Sequence, residues 1–285
     1  MRILWPVLCV WLLSSAAHAQ AASFTAGADY STGDYGADED TDIIFVPVSA
    51  RLRWENVSVR ISVPYLSVDG PGDVIPGDGT PIVTDRCASI QFTRPVLFER
   101  FCQTEENTAS GDDGQSSGLG DIVVAASYAL PADITGDFGI TFEGRVKLPT
   151  ADVDAALGTG KTDFTVVVDA AWYGSTITPF VTLGYRIFGD PTFTDDLGDF
   201  TVDLENGFTT SAGLTLPIGD STALTFAYDY LQKSVDTADN IHELYGAITA
   251  PLNDVWGITA YGVAGLTDAS ADVALGVSLR YRFGG

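Results

Sequence analysis

The chain has 285 residues, is 46% hydrophobic and carries a formal net charge of −24. A balance so acidic excludes nucleic acid as a partner, because nothing would neutralise phosphates. The length accommodates one large β domain or a barrel.

Residues 1–19 read as a secretory signal, removed on export. Arg2 supplies the positive start, residues 3–13 are apolar, and Ala17-His18-Ala19 is a small-x-small cleavage site. That apolar run is too short to cross a bilayer, and no later stretch reaches the ~18 apolar residues of a spanning helix. Lipidation at Cys9 is disfavoured by the large Leu8 before it and by the competing cleavage site. Any membrane residence is therefore through strands.

Residues 20–285 read as one domain of twelve alternating runs. Period two means strands, since successive side chains leave a strand on opposite faces. Run 24–31 places Phe24, Ala26, Ala28 and Tyr30 on one face, and an acidic loop, 33–42, follows. Run 44–54 sets Ile44, Val46, Val48, Leu52 and Trp54 against Ser49, Arg51 and Arg53. Glu55-Asn56 is a two-residue turn, and run 57–65 sets Val57, Val59, Ile61, Val63 and Tyr65 against Ser58, Arg60 and Ser62.

A very long connection, 67–117, comes next. Connections of that length tend to be lids, constrictions or disordered segments. Its middle, 89–101, is too apolar for a solvated tether, so it is expected to fold over the barrel mouth as a gate or to pack as a small cap. Removing the signal leaves Cys87 and Cys102, which read as a disulfide across a 14-residue gap. By loop entropy such a bridge stabilises by about 3 kcal/mol.

Runs 122–130, 138–148 and 164–172 form a central block, joined by a turn at 131–136 and a Gly-rich loop. Runs 178–188, 201–216, 223–232, 241–252, 256–266 and 273–283 complete the series. The last ends near an aromatic, like the recognition signal of outer-membrane barrels, although Gly284-Gly285 trail it. The barrel-assembly machinery is then a partner during insertion.

A soluble sandwich would bury the apolar faces and expose the charged ones. A lipid-spanning barrel does the reverse, and runs of this length fit it better. The fold expected is a transmembrane antiparallel up-and-down β-barrel of twelve strands in the outer membrane of a Gram-negative bacterium. Its short turns lie on the periplasmic side and its longer loops outside. Those outer loops hold most of the acids, which suits divalent cations bridging to an anionic lipid surface; none has calcium-loop spacing.

The polar faces then line a lumen. Its ionisable set is Arg51, Arg53, Arg60, Glu143, Arg145, Lys147, Asp169, Arg186, Asp203, Glu205, Asp229, Arg280 and Arg282. Such a set either sets solute preference or fills the interior with cross-linked charge. Catalytic readings are weaker. Gly158-Thr159-Gly160-Lys161-Thr162 looks like the end of a phosphate-binding loop, but Ala155 stands where the pattern needs Gly. His242 is the one histidine left after export, and the Asp203/Glu205 pair is merely stacked by period two along one wall. No enzyme activity, cofactor or metal site is expected.

Three elements in the central block carry a resemblance. Gly118-Leu119-Gly120-Asp121 opens one strand, Lys147-Leu148-Pro149-Thr150 closes the next, and Gly158 to Asp163 opens the third. In this order they resemble the outer-membrane β-barrel family of transporters of the meta-pathway of phenol degradation. The resemblance implies a barrel and uptake of small hydrophobic or aromatic compounds, and it supplies no binding residues. The expected function is passive passage of such solutes, against the alternatives of a non-conducting structural barrel or an outer-membrane hydrolase.

Overall fold

The computed structural model of the chain describes residues 21–36, 39–70, 74–76, 81–83, 115–195, 198–219, 221–236 and 238–283. The elements run β1 (Ala21–Gly33), β2 (Thr41–Trp54), β3 (Val57–Asp69), β4 (Val74–Pro76), β5 (Pro81–Val83), β6 (Gln115–Leu119) and β7 (Ile122–Ala129). A short helix α1 (Ala132–Thr135) leads to β8 (Phe138–Leu148), β9 (Asp163–Trp172), β10 (Thr178–Ile187), β11 (Thr192–Asp195) and β12 (Gly198–Thr201). The chain ends with β13 (Gly207–Ile218), β14 (Thr222–Leu231), β15 (Ile241–Pro251), β16 (Trp256–Gly265) and β17 (Val273–Phe283). The expected signal at 1–19 and the Cys87–Cys102 pair lie outside the described residues.

Twelve of these strands close on themselves in the order β1-β2-β3-β7-β8-β9-β10-β13-β14-β15-β16-β17, with β17 pairing back to β1. Every pairing is antiparallel, and because the circle closes, the twelve-stranded wall has no free edge. β6 continues the line of β7 on the same partner, β3, and only Gly120-Asp121 separates the two. There Gly120 N donates to Pro64 O at 2.9 Å, so the ladder bends without losing its bond. Two small hairpins, β4–β5 and β11–β12, stand outside the wall.

Alternation decides which face meets lipid. Phe24, Ile44, Val166, Leu183, Phe226 and Leu275 are large, apolar and exposed on the outward face. In water that surface would be prohibitive, but against hydrocarbon it is the favourable side. Aromatic rings mark the rims. Tyr281 packs on Trp256 and Phe283 at centroid distances of 4.9 and 4.7 Å at the periplasmic end. Tyr185 meets Phe208 at 4.9 Å at the outer end.

The expected strands are recovered with small changes at their ends. β3 and β6 zip the base of the long connection, Ser67 opposite Ser117 and Asp69 opposite Gln115. The turn after β7 contains α1. The larger correction concerns run 201–216. The wall strand begins only at Gly207, and residues 202–205 turn back on the preceding loop instead. Val202 N donates to Pro191 O, Leu204 N to Asp190 Oδ1 and Glu205 N to Ser234 O. Leu204 packs with Val235, Phe188 and Val202, and this apolar contact holds the segment off the wall.

Candidate functional site: the lumen and its outer ledge

The three Gly-, Lys- and Asp-bearing elements of the central block meet at the outer ends of β7, β8 and β9. Lys147, only 4% exposed, sits between two carboxylates. Its Nζ lies 3.2 Å from Asp121 Oδ2 and 2.6 Å from Asp163 Oδ2, and it donates to Thr159 Oγ1 at 2.9 Å. The remaining carboxylate oxygens accept backbone N–H groups: Thr150 and Ala151 on Asp121, Gly189 on Asp163. A buried ion pair is stable only when its leftover hydrogen-bonding capacity is met, as it is here. Lys147, one of the residues expected on the lumen face, is cross-linked there as a buried latch. Gly158 is glycine because a Cβ there would fall 2.7 Å from Ala151 Cβ and 2.9 Å from Asp121 Oδ2.

The latch draws the loop between β8 and β9 inward. Leu157 at its tip is 1% exposed and packs with Ile43 of β2, Leu66 and Val68 of β3, Tyr35 and Ala271. Ile43, Leu66 and Val68 share the face of Arg51 and Arg60, so this apolar ledge lies inside the barrel at its outer end. Burial pushes the Tyr35 hydroxyl up to about 12, and it donates as a neutral group to Ser31 Oγ at 2.8 Å. Sequence reasoning did not identify this ledge. The available signal was the unbroken apolar stretch 43–48, in which both faces are apolar and a second contact is therefore required.

Below the ledge the wall is charged. Glu143 holds Arg145 at 2.5 Å and Arg60 at 3.4 Å. Arg51, Arg53, Arg280 and Arg282 are exposed on the same face, and no carboxylate lies within ion-pair distance of them among the described residues. Arg186 is buried, donating to Gln232 O at 2.8 Å beside the Phe188 ring. Asp169 accepts from Thr182 Oγ1 at 2.6 Å. Asp229 stands in register with Glu243, a residue the expected set omitted although period two puts it on that face. Asp29, Tyr245 and Tyr261 are further lumen groups found only in the structure.

Asp203 and Glu205 do not stand on a wall strand, so period two does not place them on the lumen face. Both are exposed in the segment before β13, outside the wall. His242 points outward, its Nδ1 2.5 Å from Tyr228 Oη and its ring 5.2 Å from that of Tyr230. It belongs to the aromatic girdle.

A family model described as "Putative MetA-pathway of phenol degradation" matches residues 55–283. The fold is similar to the COG4313 outer membrane channel from Pseudomonas putida F1, at TM-score 0.65 and 11% identity over 92% of this chain and 95% of that one. It also aligns with the CymD monoaromatic hydrocarbon channel at TM-score 0.45 and 10% identity, over 95% of this chain and 90% of that one. The Ralstonia pickettii toluene transporter TbuX aligns at TM-score 0.44 and 10% identity, over 94% and 90%. The chain has no match among curated proteins.

Proposed function

The chain belongs to the family of outer-membrane β-barrels described as "Putative MetA-pathway of phenol degradation", and from that membership we propose that it is a channel for passive uptake of small hydrophobic or aromatic solutes. The observation that carries this reading is the exposed charge inside the closed wall. Arg51, Arg53, Arg280 and Arg282 are exposed on the inner face, without carboxylate partners among the described residues. A barrel filled for structural purposes would cross-link such groups. At the outer end, the ledge of Leu157, Ile43, Leu66 and Val68 gives an incoming solute apolar surface before it meets the polar wall. Passage needs no chemistry from the chain, so no enzyme activity or cofactor is part of this reading.

The same ledge is what a non-conducting barrel would display, so conductance separates the two. Purified protein in planar bilayers gives discrete steps under this proposal, and Leu157→Ser, which removes the ledge's tip, enlarges them. Silence from both proteins would overturn it.

A further inference from the structure

Register carries the arginines further than a census does. Arg282 of β17 stands opposite Ser23, and Ser23 opposite Arg51. Arg51 stands opposite Arg60, Arg60 opposite Ala125, and Ala125 opposite Arg145. Arg145 stands opposite Thr165, and Thr165 opposite Arg186. One row of lumen positions therefore carries five arginines across neighbouring strands. Barrel strands tilt by about 35–45°, so a row of register partners climbs as it goes round. This row starts one residue from the periplasmic end of β17 and finishes one residue from the outer end of β10.

Burial rises along the climb. Arg282 and Arg51 are exposed, Arg60 and Arg145 half-buried, and Arg186 buried. Arg51 and Arg60 are like charges in direct register, an arrangement that destabilises a sheet. Among the described residues Glu143 is the one carboxylate ion-paired to the middle of the row, shared between Arg60 and Arg145. Arg60 Nε is buried without an acceptor among the described residues. Of the three neighbouring guanidiniums Arg51, Arg60 and Arg145, two share one anion and the third is exposed without one among the described residues, so the row keeps a positive excess.

The opposite wall has the other sign. β13, β14, β15 and β16 contain no Lys or Arg, while Asp229 and Glu243 face the lumen there. β16 lies half the circuit from β8, the strand of Arg145. Low-dielectric walls focus such a field across the lumen instead of dispersing it.

We propose that this arginine row is a track for anions, and that the solute is a small organic anion whose carboxylate moves from one guanidinium to the next. The proposal rests on the channel reading and adds the charge of the cargo. Guanidinium suits this task because it stays charged and meets a carboxylate through paired donors.

The test is the reversal potential of the full chain in planar bilayers under a tenfold KCl gradient, followed by the same measurement with sodium benzoate on one side. Wild type is expected to pass chloride at least about threefold better than potassium, with benzoate also permeant, the size of effect that a focused lumen field produces. The Arg51→Gln/Arg145→Gln variant is expected to bring the ratio close to unity. Should Arg145→Gln prevent folding, Arg51→Gln/Arg282→Gln carries the same test, because neither residue is ion-paired among the described residues. Asp229→Asn is expected to raise the anion preference. A conducting wild type that prefers potassium would overturn the track, as would a ratio unmoved by the arginine variants. Complete absence of current would instead overturn the channel reading.

Discussion

Tyr261 donates its phenolic hydrogen bond to Asp29 over the bare Cα of Gly276. Asp29 is on β1 and Tyr261 on β16, with β17 between them, so the contact spans the seam at which the last strand pairs with the first. Gly276 stands in register with both residues. Any Cβ there would collide with the Asp29 carboxylate and the Tyr261 ring. The lumen face is therefore shaped at this point by the absence of a side chain.

Gly276→Ala is expected to break that hydrogen bond and destabilise the barrel by about 1–3 kcal/mol, the cost of a buried polar group losing its partner. Tyr261→Phe loses the same bond more gently. The double variant is expected to cost less than the two single effects combined, because both act on one contact. Urea midpoints followed by tryptophan fluorescence in detergent micelles measure this coupling. Strict additivity would show that Gly276 matters for some other reason.

Lys147→Met is expected to destabilise by about 3–5 kcal/mol, because it strands the Asp121 and Asp163 carboxylates in a buried site. Adding Asp163→Asn removes one stranded charge and recovers part of the loss. The temperature at which the band changes mobility on a denaturing gel reports both. The loop carrying Leu157 hangs on this latch, so Lys147→Met also loosens the outer ledge.

Period two made the wall legible in the sequence. Strands β8 and β17 match expected runs 138–148 and 273–283 to the residue, because lipid on one side and water on the other force a clean alternation. Alternation says nothing about what an inward side chain touches, and there the reading missed. Lys147 looked like Arg145, two residues away, yet one is latched and buried and the other bridges Glu143. The partners that decide this, Asp121 and Asp163, come from separate strands. Asp203 and Glu205 kept the rhythm of a strand but were captured by the Leu204–Val235 contact, a long-range event that no local pattern records. The arginine row is the same kind of feature. Each arginine was visible singly, and only the register between strands lines them up.

The central claim is that solutes cross this barrel along its polar inner face while the apolar face meets lipid. Ser278 and Val277 are consecutive on β17 and lie on opposite sides of that wall, Ser278 opposite Gly27 and Thr259, Val277 exposed outward. Single cysteines at these two positions, in a chain carrying Cys87→Ser and Cys102→Ser, are treated with a bulky charged methanethiosulfonate during bilayer recording. The account predicts that the reagent cuts the current through Ser278→Cys and leaves Val277→Cys unchanged. Block at Val277→Cys with none at Ser278→Cys would contradict it.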